Sequence, residues 1–304
     1  MSDSRAPVGV ALAGHTLPLA ARLRLARRAD ALGFALILVD GDSSIAAAGN
    51  GLYTYDPTAL ASAVALETQQ ARLASIHVPH FWNALLLARS LATLQELAGG
   101  RLVSHFGVGE ARATARLGLP QPSASERVAR LDDTLGVVRA LLAGETVTHK
   151  SPWLELGGVR ITPPAQPTPI AVSAAGPHAL ALVRRHADVW DANVPPLRER
   201  LEPARERLGH ALPTWIWVFA RPGATREATL ADYRRYAPWF SDLSPDQQAR
   251  AVLFGEGERC RDRLEELRAE LGVTLPIADL SGLDEPAAER ALALLAPASV
   301  GGIS

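Results

Sequence analysis

The chain carries one cysteine, one methionine and one lysine in 304 residues. A lone Cys260 closes no internal disulfide, so burial and hydrogen bonding must hold the fold. It falls on the stripe Cys260, Leu264, Leu267, Leu271 at helical spacing, which places it in a core. Basic charge is carried by arginine except at Lys150, a bias that suggests a GC-rich genome and says nothing about chemistry. Neither sign of charge dominates: 31 basic and 32 acidic residues leave a net −1. Without a basic excess, nucleic acid and anionic membrane surfaces are not expected partners.

Other absences narrow the class further. No apolar run reaches the ~18 residues that span a bilayer, and MSDSRAPVGVALAG lacks the charged head and apolar core of a secretory signal, so a cytoplasmic location is expected. His-x-His, His-Glu-x-x-His and Cys-x-x-Cys spacings are missing, which argues against a dedicated metal site. The Gly-x-Ser-x-Gly elbow is missing too, so acyl transfer has no visible nucleophile. No repeat, low-complexity tract or linker divides the chain, and a single domain over residues 1–304 is expected.

What is present is an alternation of short apolar segments with longer amphipathic ones, the pattern of repeated strand–helix units. Strand-like runs are Val8–Ala13, Ala35–Asp40, Arg72–Val78, Arg101–Gly107, Pro169–Ser173, Ala187–Asp191, Thr214–Ala220 and Thr274–Leu280. Helical periodicity is clear in Leu87, Leu91, Leu94 and in Val128, Leu131, Leu135, Val138, Leu142. Asp56-Pro57 reads as a helix start and Gly99-Gly100 as a stop. Eight such units favour a closed (β/α)8 TIM barrel over an open doubly wound sheet. Gly144–Pro167 reads as a β-hairpin inserted before strand five, and Pro222–Leu253 as a helical excursion after strand seven.

A barrel puts its chemistry at the C-terminal ends of its strands. Those ends offer His15 after strand one, Asp40-Gly41-Asp42 after two, Ser75, His77 and His80 around three, and His105, Gly107 and Gly109 in and after four. Later come Ser173 to Gly176, Asp191 and Asn193, Arg221, and Asp279 with Ser281. Alternation in strand three sets Ala74, Ile76 and Val78 against the helices and turns Ser75 and His77 inward; in strand four Val103, His105 and Gly107 take the lumen. Each inward histidine reads either as a proton-handling group or as a hydrogen-bonded core residue. His149, His178, His186 and His210 read as structural or exposed. Ser173, Ala174, Ala175 and Gly176 form a small-residue turn into a helix, a candidate phosphate cradle. Trp215, Trp217, Trp239 and Phe240 are candidates for pocket walls or core.

Several stretches resemble one family. LLLARSLATLQELAGGRLVSHFGVG, SERVARLDDTLGVVRALLAG, PPAQPTPIAVSAAGPHALALVRRHADVWDAN and LFGEGERCRDRLEELRAELGV follow, in order and spacing, the bacterial luciferase-like flavin monooxygenases and their deazaflavin-using relatives. The resemblance implies a (β/α)8 barrel with bound flavin, its phosphate at Ser173–Gly176 and its ring near Ser75, Ile76 and His105. The layout from Tyr55 to Thr68 is closer to the branch that oxidises sulfonates, chelators and heterocycles. The family commonly carries an acid followed by histidine after strand two, where this chain has Asp40, Gly41 and Asp42. His15, His77, His80 or His105 then becomes the substitute, with His105, His15 and His77 the candidate catalytic groups.

The leading expectation is a two-component monooxygenase that takes reduced FMN from a separate flavin reductase and acts on a small organic substrate. A deazaflavin-dependent oxidoreductase passing hydride is the alternative, and a non-catalytic flavin-binding barrel is the third. A homodimer is expected from the resemblance.

Overall fold

The computed structural model describes residues 6–12, 17–39, 41–42, 55–110, 115, 118–236, 240 and 242–297. In chain order the strands are β1 (Gly9–Ala11), β2 (Leu36–Val39), β3 (Arg72–His77), β4 (Leu102–Gly107), β5 (Val147–Lys150), β6 (Glu155–Val159), β7 (Ile170–Ala174), β8 (Val189–Ala192), β9 (Thr214–Pro222), β10 (Val252–Gly255) and β11 (Leu275–Asp279). The helices are α1 (Leu19–Ala31), α2 (Pro57–Glu67), α3 (Ala84–Leu97), α4 (Ala124–Leu142), α5 (Pro177–His186), α6 (Arg198–Leu208), α7 (Arg226–Tyr236), α8 (Pro245–Arg250), α9 (Gly257–Leu271) and α10 (Glu285–Leu295).

β1, β2, β3, β4, β7, β8, β9 and β11 pair in parallel, and β11 pairs back onto β1, closing a (β/α)8 barrel. All eight correspond to the runs read from the sequence. Such strands are buried on both faces, so they read as short apolar runs between caps. β5 and β6 form the expected antiparallel hairpin, docked on α4 where Asp133 accepts from Ser151 Oγ at 3.1 Å and lies 2.7 Å from His149 Nε2. The excursion differs from expectation at its end. After α7 and α8 the chain enters β10, which pairs in parallel with Phe219–Pro222 of β9, because Val252 and Leu253 are both buried apolar residues beside that half-strand.

Two apolar sets give the barrel its inside and outside. Ala11, Leu36, Leu38, Ala74, Val103, Ala171, Val189, Trp215, Leu275 and Ile277 fill the lumen. Their neighbours along each strand, such as Val10, Ile37, Leu73, Phe106, Val172 and Ile216, pack against the helices. Space is tight: a Cβ on Gly9 would sit 3.1 Å from Ile277 and 3.3 Å from both Leu275 and Leu36. A closed lumen filled this way is a packed core rather than a pore.

The helix-to-strand phrase around Gly99-Gly100-Arg101 is structural. Both glycines take positive φ, +58° and +86°, the left-handed exit that ends α3 without Cβ strain. Arg101 then gives Nη1 to Ala71 O at 2.8 Å and Thr68 Oγ1 at 3.1 Å, and Nη2 to Thr68 O at 2.9 Å and Ala65 O at 3.0 Å. It thereby satisfies carbonyls that the end of α2 leaves without partners. Asp30 accepts three amides from the same turn, Gln69, Gln70 and Ala71, and Gln95 bridges Leu102 N to Pro167 O. These ties lie at the N-terminal end of the strands, away from the mouth. Arg101→Met keeps an unbranched apolar stem but removes the guanidinium and its four bonds; chemical denaturation is expected to show a loss of about 2–4 kcal/mol, while cofactor affinity in the surviving folded protein stays unchanged.

Candidate active site

At the C-terminal mouth the lumen turns polar. His105 on β4 and Asp191 on β8 are 0% and 1% exposed, and His105 Nε2 lies 3.0 Å from Asp191 Oδ2. The bond crosses in front of β7, whose lumen residues Ala171 and Ser173 are small enough to leave room for it. Trp217 Nε1 donates to the other oxygen, Asp191 Oδ1, at 3.0 Å. Trp215 stands edge-on to the His105 ring at 5.7 Å. His105 Nδ1 is buried without a partner, so one ring nitrogen is held and the other is unsatisfied.

Beside this pair, Gly107 keeps a gap open. A Cβ there would lie 3.5 Å from Ile76 Cγ2 and 4.0 Å from Ser173 Cβ, so the glycine leaves the space between those two side chains unfilled. Ser173 and Ala175 remain partly exposed and Gly176 exposed. Gly176 is the N-cap of α5 and brings no capping side chain, and Pro177 at the first position has no N–H. The amides at the start of α5 therefore have no protein cap. Small residues leading into an uncapped ten-residue helix suit a phosphate.

The structure corrects the facing of β3. Ala74 belongs to the lumen, so alternation sends Ile76 inward and Ser75 and His77 outward. Ser75 Oγ points at Pro57 O, 3.5 Å away at the start of α2. His77 lies in the shell, 5.6 Å from the Trp82 ring and 6.2 Å from Phe106, with neither ring nitrogen partnered. The narrow lumen explains the inversion: beside Trp215 and the leucines it takes only alanine from the middle of β3. His77 and the Ser75 side chain thus face the helical shell instead of the lumen, whereas Ile76 and His105 do face the lumen. His15, Asp40 and Trp239 lie outside the described residues. Phe240 is not in the lumen but stacks on Tyr233.

The missing histidine after β2 also has a physical cause. A Cβ on Gly41 would fall 2.4 Å from Ile76 O and 2.6 Å from Ile76 N, because the chain turns in against β3 and Asp42 N donates to Ile76 O at 2.8 Å. No side chain fits at 41. Asp42 instead accepts from Val78 N at 2.8 Å and Trp82 Nε1 at 2.5 Å. Burial pushes its carboxyl up to about 6 despite those two donors. At the end of β11, on the other side of β1, burial likewise raises the Asp279 carboxyl, opposed by bonds from Ser281 N and Oγ and by nearby Arg221. Arg221 is spent on fastening the excursion: it donates to Asp232 of α7 at 2.9 Å and to Ser281 O at 2.5 Å. Among the described residues no group of three or more His, Cys, Asp or Glu side chains is arranged to hold a metal.

Residues 4–237 match the family model of the luciferase-like monooxygenases. The chain belongs to the luciferase-like monooxygenase family. It is 32% identical over 192 residues to an F420-dependent glucose-6-phosphate dehydrogenase of Nakamurella multipartita, a match covering 59% of this chain and 56% of that protein. The chain thus spans little more than half the length of that relative. Among solved structures, an F420-dependent secondary alcohol dehydrogenase complexed with an F420–acetone adduct superposes with a TM-score of 0.79 at 17% identity, covering 96% and 99% of the two chains. A monooxygenase from Streptomyces bottropensis superposes at 0.77 and 21%, covering 95% and 97%. These likenesses establish the luciferase-like barrel.

Within that family barrel, sequence reasoning missed Asp191 as the partner of His105 and Gly107 as the gap keeper. Val189 and Asp191 share one parity in β8, which was the available signal. Two outcomes test the site's physics. Gly41→Ala should lose on the order of 1–3 kcal/mol in urea unfolding, since its Cβ meets backbone rather than a movable side chain. For His77, burial holds the folded pKa at about 4, below the free value of 6.5. The stability that depends on a neutral ring is complete above 6.5 and falls away as the pH drops toward 4. His77→Leu should therefore gain on wild type as pH falls, the gap widening by about 2 kcal/mol between pH 7.5 and 4.5; a pH-independent gap would refute the buried neutral ring.

Proposed function

We propose that this protein is a deazaflavin-dependent oxidoreductase that moves a hydride between the cofactor and an alcohol or the corresponding carbonyl compound. The observation that carries this reading is the 32% identity to an F420-dependent dehydrogenase. It displaces the reduced-FMN monooxygenase expected first from the sequence, because the oxygenases of this fold are too distant in sequence to speak for chemistry. No separate flavin reductase enters the reading.

The mouth fits such a cofactor. Ser173, Ala174, Ala175 and Gly176 with the amides of α5 would hold its phosphate, and Ile76 and Gly107 would lie beside its ring. When bound, the deazaflavin supplies the carbon that gives or takes the hydride. His105 handles the proton that an alcohol loses as its carbon is oxidised, with Nε2 held by Asp191 and Nδ1 open. Asp191 is a positioning residue, fixed in turn by Trp217. The apolar layer of Leu38, Ala171, Trp215 and Ile277 around them excludes water.

Fluorescence titration of the apoprotein should show tighter binding of F420 than of FMN, and reduction of bound F420 by an alcohol panel should proceed without oxygen uptake. Oxygen consumption with reduced FMN would return the monooxygenase reading, and binding without any turnover would favour a non-catalytic barrel. Ser173→Asp should weaken cofactor binding roughly tenfold or more by placing a carboxylate against the phosphate. His105→Gln should lower kcat by roughly 10²-fold with cofactor affinity preserved. Asp191→Asn should move the pH profile of kcat; an unmoved profile removes Asp191 from its positioning role.

A further inference from the structure

A second feature of the mouth lies on its rim, outside the pair just described. The 3-10 turn Pro79–Phe81 follows the C-terminal end of β3, and α4 begins after the C-terminal end of β4, so both belong to the face that carries Gly107 and Ser173. That turn packs against α4, close enough for the charges of Arg127 and Arg130 in its first two turns to act on His80. Both arginines are half-buried. Arg127 gives Nη1 to Pro122 O at 3.1 Å, but its Nε is buried with no partner. Among the described residues Arg130 makes one long contact, 3.5 Å from Nη2 to Trp82 O. His80 Nδ1 is also buried and unpartnered.

Among the described residues, the two acids whose charges act on these groups, Glu126 on His80 and Asp133 on Arg130, are both bonded elsewhere. Neither arginine has a carboxylate within ion-pair distance among the described residues. Glu126, whose charge acts on His80, is committed to the capping box at Ser123, accepting from Ser123 N at 2.7 Å. Asp133, which faces Arg130, is engaged by His149 and Ser151 of the hairpin. His80 feels the resulting field: burial first, then the charges of Arg130 and Arg127, hold its pKa down at about 4. Buried guanidinium and imidazole nitrogens left without acceptors are costly unless a ligand completes them.

We propose that His80, Arg127 and Arg130 form an anion subsite on the rim, which takes a phosphate or carboxylate group of the small molecule docked in the mouth. Guanidinium pairs match such groups geometrically. The anion has two sources, the acidic tail of the deazaflavin or an anionic substrate. The first source rests on the proposed cofactor; the subsite itself does not.

The test uses wild type and an Arg127→Gln/Arg130→Gln double variant, with the single variants replacing it if it melts early. Inorganic phosphate is titrated while the His80 C2 proton is followed by NMR. F420 and the tail-free riboside of the same ring are titrated by fluorescence. Phosphate should move the His80 resonance in wild type and not in the variant. The variant should bind F420 at least tenfold more weakly and the riboside as wild type does, which assigns the anion to the cofactor tail. A phosphate response with both deazaflavin affinities unchanged by the substitutions assigns it to the substrate. If neither deazaflavin binds while phosphate still moves His80, the cofactor reading falls and the subsite stands. An unmoved His80 resonance with unchanged affinities, or equal weakening for both ring compounds, overturns the proposal.

Discussion

The constraint on which the rest depends is closure of the sheet. Once β11 pairs back onto β1, every strand must send alternate residues into a lumen with a fixed, small volume. Gly9, Ala11, Ala74 and Ala171 exist to let Trp215, Leu36, Leu38, Leu275 and Ile277 fill it. That apolar fill is the platform on which a buried imidazole and carboxylate can stand without water. The His105–Asp191 bond is tenable there because each group is the other's partner and Trp217 completes the carboxylate.

The two ends of the barrel divide the work. Below, Arg101, Asp30 and Gln95 tie the loops by satisfying backbone groups, and two of the three are charged side chains that a surface reading would have taken for chemistry. Above, the polar groups are left with open valences: His105 Nδ1, the amides of α5, and the nitrogens of His80, Arg127 and Arg130. The excursion covers part of the same end. Phe219, Tyr233 and Phe240 pack together there, and Tyr236 presses so closely on Gly282 that a Cβ would fall 2.4 Å from its ring. Stability thus concentrates at one end, and unsatisfied binding capacity at the other.

Much of this was legible in the chain. Buried strands announce themselves as short apolar runs, and helix caps such as Asp56-Pro57 and the Gly99-Gly100 stop mark their bounds through local hydrogen bonding and φ alone. His105 could be placed in the lumen because Val103 and Gly107 share its parity. The polarity of Ser75 and His77 points them inward in the sequence, whereas lumen volume turns them outward in the fold. β10 escaped notice because Val252 and Leu253 become strand only beside the second half of β9.

The sequence by itself determined the order of elements, the closure into a barrel, the small-residue turn at Ser173–Gly176 and the family, since these rest on local pattern and repeat count. Only the tertiary structure decided which face of β3 meets the lumen, that Gly41 admits no side chain, that Asp191 stands behind His105, and that the charges of two arginines of α4 act on His80. Each of those depends on distances between strands far apart in the chain, and such distances are fixed by closure and packing rather than by neighbours in sequence.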